Sequence, residues 1–83
     1  MNFEKYGYVL AAPTRISIVK ALISEKTPLQ LTKELKKSDS NISRALTELT
    51  KNGIIKCLNP NSKKGKLYAL TDDGKEIFKR VIN

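Results

Sequence analysis

The sequence predicts a mostly helical α+β fold in which a two-stranded hairpin is set between the last two helices. Three observations carry that prediction. Apolar residues recur at helical spacing in blocks between residues 2 and 52, alternate with polar ones between residues 54 and 71, and return to helical spacing after Asp73. The 83 residues predict one domain, 1–83, near the lower size at which a core holds together without staples.

Residues 2–10 predict a short first helix, with Phe3, Tyr6 and Leu10 at i, i+3 and i+7. Gly7 weakens it by roughly 1 kcal/mol relative to Ala. The chain breaks at Ala11-Ala12, and Pro13 fits the first turn of a second helix. There Ile16, Val19, Leu22 and Ile23 make a broad apolar face, and Ile18 adds another side. A helix apolar on nearly two sides is expected at the centre of the fold.

Thr27-Pro28-Leu29-Gln30 is a helix start. Thr27 can cap the backbone, Pro28 suits the first position, and Gln30 completes a capping box. The short helix that follows turns Leu31 and Leu35 inward and Lys33, Lys36 and Lys37 outward. A break of a few residues then leads to another helix, 39–52, capped by Ser38 or Asp39. Two short helices so joined cross steeply, the helix-turn-helix arrangement.

The helix over 39–52 has two chemically different sides. Ile42, Ala45, Leu46 and Leu49 share one apolar sector, while Ser40, Arg44, Thr47 and Lys51 lie opposite, with Ser43 and Glu48 at the edges. Asn52-Gly53 is a stop signal: with Gly53 left-handed, Ile54 is expected to pack on Leu49. Alternation then predicts strands over 54–58 and 66–71, joined by a polar, flexible basic loop, with Tyr68 and Leu70 facing the core. Thr71-Asp72-Asp73 caps a last helix carrying Ile77, Phe78, Val81 and Ile82.

Composition removes several function classes. No His is present and Cys57 stands alone as a small strand residue, so neither a zinc site, a disulfide nor a His-based catalytic triad is expected. Asp72-Asp73 is explained by the helix start, and there is no glycine-rich phosphate loop; neither an enzyme nor a cofactor is expected. No apolar run approaches the ~18 residues of a membrane span. The opening residues lack signal-peptide order, which makes a cytoplasmic location the expectation.

Charge points the other way, towards a partner. Sixteen Lys and Arg against eight Asp and Glu give +8, and residues 33–66 hold nine of the basic side chains but three of the acidic ones. Such a local excess attracts polyanions, nucleic acid first among them. A merely lysine-rich surface would usually bring matching glutamate.

The order of elements resembles the winged helix-turn-helix DNA-binding domain, and most closely the ArsR-like and MarR-like transcriptional regulators. The segments carrying the likeness are Leu10-Ala11-Ala12-Pro13-Thr14-Arg15-Ile16, Asn41-Ile42-Ser43-Arg44-Ala45-Leu46 with Leu49, Asn52-Gly53-Ile54-Ile55, and Leu67-Tyr68-Ala69-Leu70-Thr71-Asp72-Asp73-Gly74. One departure matters: metal-sensing ArsR-type proteins carry cysteines at the helix that begins here with Pro28, and this chain has none, so no metal effector is expected there. MarR-like proteins are usually longer, with extra helices that form a ligand pocket and dimer interface.

The resemblance implies double-stranded DNA as partner, with helix 39–52 in the major groove. Arg44 is then the candidate for reading guanine, since its alternative, an exposed pairing with Glu48, is worth only ~0.2–0.5 kcal/mol. Ser40, Asn41, Ser43 and Thr47 supply hydrogen bonds to bases or phosphates, and Lys51 adds positive charge on the same face. Lys63, Lys64 and Lys66 in the wing, 59–66, reach phosphate or the minor groove, and Thr27 with the free N–H groups after it can hold a further phosphate. Phe3, Tyr6, Leu10, Phe78, Val81 and Ile82 exceed what two short terminal helices need for one buried face, so a homodimer is expected through them. A protein-interaction module and a nonspecific chromatin or RNA binder are the competing functions.

Overall fold

Three helix starts carry side-chain caps in the computed structural model of the chain, which describes residues 3–83. The elements run α1 Phe3–Leu10, α2 Pro13–Ala21, α3 Pro28–Leu35, α4 Asp39–Lys51, β1 Ile55–Cys57, β2 Tyr68–Leu70 and α5 Asp72–Val81. Pro13 and Pro28 occupy first-turn positions of α2 and α3, where a missing N–H costs nothing. Thr27 and Gln30 form the complete capping box: Gln30 N–H donates to Thr27 Oγ1 (3.2 Å), and Thr27 N–H donates to Gln30 Oε1 (2.8 Å). Ser38 rather than Asp39 caps α4, accepting from Asn41 N–H at 3.2 Å, and Thr71 caps α5.

α2 is the central helix, in contact with α1, α3, α4 and α5. It buries Ile18, Val19 and Ala21, with Leu22 at its C-cap also buried. Ile23, expected on that face, is 73% exposed because the helix ends at Ala21 and the chain turns away before it. In α1 the fully buried residue is Val9, which lies about 60° around the helix from Tyr6, on the side away from Phe3 and Leu10. Tyr6 packs against the core, whereas Phe3 and Leu10 stand at 69% and 45% exposed.

The end of α4 satisfies its backbone through a Schellman turn. Gly53 adopts φ +73° and donates to Thr50 O, and Ile54 N–H donates to Leu49 O, both at 3.0 Å. Leu49 and Ile54 are both fully buried, as the cap geometry requires. The chain enters β1 directly. β1 and β2 are antiparallel with Ile55 opposite Leu70, Lys56 opposite Ala69 and Cys57 opposite Tyr68, each strand shorter than the alternation predicts. Lys26, between α2 and α3, forms an isolated bridge to Tyr68 through reciprocal backbone hydrogen bonds of 2.9 and 3.1 Å. Its ammonium donates to Ala21 O and meets Glu34, 3.1 Å away, so one residue ties α2 and α3 together through its side chain and joins the sheet through its backbone.

Thr71 returns the hairpin to α4. Its hydroxyl donates to Gly53 O (2.7 Å), with Ile54 O close at 3.0 Å, and its N–H donates to Ile54 O (3.1 Å). Gly74 follows in the first turn of α5, and a Cβ there would strike the Ile54 carbonyl and come within 3.2 Å of Leu70 Cβ. Gly7 in α1 has open space at the same atom. Gly74→Ala is therefore expected to destabilise by about 3 kcal/mol, at the upper end of overpacking. Gly7→Ala should stabilise by about 0.5–1 kcal/mol through helix propensity. Urea denaturation measures both, and midpoints shifting in the same direction would contradict the packing described.

Candidate nucleic-acid interface

The inner stripe of α4 decides what its outer face can do. Ile42, Ala45, Leu46 and Leu49 are buried, which fixes the rotation of the helix and leaves Ser40, Asn41, Ser43, Arg44, Thr47, Glu48 and Lys51 exposed. Among the described residues Arg44 makes no ion pair, so the exposed pairing with Glu48 is not formed. Its guanidinium fork remains open for a ligand. Thr47 is partly committed: its hydroxyl donates to Ser43 O at 2.9 Å, leaving its oxygen as an acceptor. Asp39 adds a carboxylate to the first turn, suited to the helix dipole.

The hairpin loop carries more internal structure than its composition suggests. Asn59 spans it, donating from Nδ2 to Gly65 O (3.2 Å) and accepting at Oδ1 from Leu67 N–H (2.7 Å). Ser62 hydroxyl donates to Lys64 O, and Gly65 turns the chain at φ +64°. The loop expected to be a flexible tip is thus braced from within, with Lys63, Lys64 and Lys66 exposed on it.

Residues assigned to separate elements meet here. Thr27, Pro28 and Leu29 at the start of α3 line one open cleft with Lys63, Gly65 and Lys66 of the loop. The ammonium groups therefore adjoin the positive end of a helix, an arrangement that attracts phosphate. Lys64 lies on the same loop outside that lining. Leu29, 61% exposed, puts an apolar side chain beside the lysines that the sequence did not single out. Thr27's hydroxyl is occupied by the capping box, so its contribution is a fixed backbone more than a free hydroxyl.

A second cleft was not foreseen. Ala12, Thr14 and Arg15 at the start of α2 face Asn41, Arg44, Ala45 and Glu48 of α4. Arg15 stacks over the Tyr8 ring, 3.8 Å from its centroid, and donates to Tyr8 O at 2.7 Å. Behind the hairpin, burial and then the neighbouring Cys57 hold the Tyr68 phenol above its ordinary value. A further groove, on the face formed by β1, β2 and α5, is lined by Ile23, Leu58, Ala69 and Phe78 and by Lys56, Lys75 and Lys79.

At the terminal helices, Lys5 pairs with Asp73 at 2.7 Å, and the Arg80 guanidinium lies 5.7 Å from the Phe3 ring centroid and 5.9 Å from that of Tyr6. α1 and α5 are thereby neighbours. Phe78 and Val81 pack against the core, and Ile82 is 54% exposed. No metal-binding group of His, Cys, Asp and Glu occurs among the described residues, and no described helix is long and apolar enough to cross a membrane.

Because the capping box is what orients the first turn of α3 towards the loop lysines, Thr27→Ala should cost about 1 kcal/mol of folding stability. Thermal or urea unfolding measures it, and an unchanged stability would show that the box holds nothing in place.

Comparison with known proteins agrees with the fold. A family profile described as winged helix DNA-binding domain matches residues 14–83. Among solved structures, the MarR family transcription regulator SP03579 superposes with a TM-score of 0.78 at 24% identity, over 95% of this chain and 54% of that one. The reduced form of MarR from E. coli gives 0.76 at 26% identity, over 90% and 60%. Lactococcus lactis ZitR in complex with DNA gives 0.76 at 24% identity, over 83% and 49%. The chain thus spans about half to three-fifths of the length of these solved chains. No curated protein sequence matches it. With α3 and α4 as the helix-turn-helix, the β1–β2 hairpin as the wing and the profile covering most of its length, the chain belongs to the winged helix DNA-binding domain family.

Proposed function

We propose that this protein is a cytoplasmic transcription regulator that binds duplex DNA by sequence, with α4 in the major groove and the wing on the backbone or minor groove. The observation that carries the proposal is the two-sided character of α4. Its apolar stripe is wholly buried, and its exposed face holds Ser40, Asn41, Ser43, Arg44, Thr47 and Lys51 with Arg44 unpaired among the described residues. Membership of a DNA-binding family and the likeness to a fold determined on DNA support the same partner.

In this proposal Arg44 reads a base edge, most simply O6 and N7 of guanine. Ser40, Asn41, Ser43 and Thr47 hold the register, and Lys51 meets phosphate past the end of the reading segment. Lys63, Lys64 and Lys66 grip the backbone from the wing, and the α3 start at Thr27 provides fixed N–H groups beside two of them. Two copies would join through the terminal helices, where Phe3, Leu10 and Ile82 are exposed and Tyr6, Phe78 and Val81 are half-buried next to them. Such a dimer would bind half-sites about one helical turn apart.

Titration of selected and random duplexes, with single strand as control, tests this at two salt concentrations. Arg44→Ala should cost ~1–3 kcal/mol of discrimination at one base pair while leaving random-duplex binding nearly intact. Replacing Lys63 and Lys64 by Ala should weaken every duplex alike and reduce the salt slope by about 0.9 for each phosphate no longer neutralised. Equal affinity for selected and random duplex would reduce the function to nonspecific binding. No duplex binding at all would leave a protein-interaction module. Sedimentation at tens of micromolar, as an order of magnitude, should give a dimer, and a monomer would remove that part of the proposal.

A further inference from the structure

We infer that the cleft between the start of α2 and the front of α4 is a DNA phosphate site held by Arg15, an assignment that rests on the duplex-binding proposal and extends it to a third element. Two arginines line this cleft of about 210 Å³, Arg15 from α2 and Arg44 from α4, together with Asn41 and the single carboxylate of Glu48. Asn41, Arg44 and Glu48 form one stripe of α4, and the small Ala45 beside them leaves the space open. Among the described residues neither arginine is in an ion pair, Glu48 included. Two arginines against the one carboxylate leave the cleft net positive, which attracts a phosphate passing beside α4.

Arg15 is also held in a way that suits phosphate and not base reading. The Tyr8 ring covers one face of its guanidinium at 3.8 Å, and Tyr8 O takes one N–H at 2.7 Å. A guanidinium has five N–H groups, so four remain in a plane whose direction is already set. A side chain clamped from behind cannot follow a base edge into the groove, but it presents a preformed fork to the backbone oxygen that passes beside α4. Arg15 would then grip without reading. Tyr8 is the positioning residue, and through it α1 is coupled to the grip on DNA.

A purely structural Arg15, fastening α1 to α2, would satisfy the same interactions without any role in binding, so the test must report charge and not fold. Arg15→Gln in the full chain removes the charge and keeps a side chain that can lie on Tyr8 and donate to its carbonyl. Fluorescence anisotropy against selected and random duplexes over a salt series should show both weakened by the same factor. The magnitude of the log–log salt slope should fall by about 0.9. Arg15→Lys should retain most of the slope. A wild-type slope in Arg15→Gln, or a changed base preference in place of a uniform loss, would overturn the inference while leaving the parent proposal standing. Wild-type protein that fails to bind duplex would overturn both. Should circular dichroism show Arg15→Gln to be unfolded, Thr14→Glu decides. It places a carboxylate in the cleft at a helix position that favours one and leaves the Tyr8 clamp untouched. Severalfold weaker binding of all duplexes supports the site, and unchanged binding overturns it.

Discussion

Everything the exposed face of α4 does depends on the seat of its buried face. Ile42, Ala45, Leu46 and Leu49 lie against the cluster that includes Ile18, Val19, Leu31, Ile54 and Ile77. Truncating one buried leucine of this kind costs about 2–5 kcal/mol, against about 5–15 kcal/mol for the whole stability of a typical domain. The helix therefore has one available rotation, and that rotation puts Arg44 outside. The same cluster continues across Gly53 into Ile54 and Ile55, so the turn that ends α4 also launches the wing. Thr71 closes the circuit by bonding back to Gly53 and Ile54. Helix α4, the wing and the last helix are thus placed by one continuous core.

Elements whose signals are local were legible in the sequence. The Thr27 capping box, the Gly53 stop and the Leu49–Ile54 pair each lie within a few residues, and the structure forms all of them. Features set by distant partners were not. The bridge between Lys26 and Tyr68 is a single residue pair far apart in sequence, and no alternation announces it. In α1 the spacing of Phe3, Tyr6 and Leu10 is genuine, but the core lies to one side of that stripe. Val9 is fully buried, a placement that only the packing of α1 determines. Ile23 fits the periodicity of α2 and lies past its end.

The candidate interface divides along the same line. Its outward residues on α4 followed from one helix's pattern, and their exposure is as expected. The meeting of Thr27 with Lys63 and Lys66 needed the three-dimensional path of the hairpin. The bracing of the loop by Asn59 could have been suspected, since Asn next to Pro60 is turn chemistry, but its partners at Gly65 and Leu67 come from the closed hairpin. Arg15 sat in plain view in the segment that carries the family likeness. Its stack on Tyr8 and its nearness to Arg44 depend on how α1, α2 and α4 converge, which no short-range pattern encodes.

As proposed, the outer face of α4 and the wing meet DNA, and the apolar groove lined by β1, β2 and α5 does not. Amide chemical-shift mapping of isotope-labelled protein, titrated with a duplex chosen from a random pool, tests it most directly. The largest shifts should fall on residues 40–47 and 61–66, with Ile23, Leu58 and Phe78 little moved. Shifts concentrated on Leu58, Ala69, Lys75 and Phe78, with α4 silent, would put the partner in that groove and overturn the proposed interface.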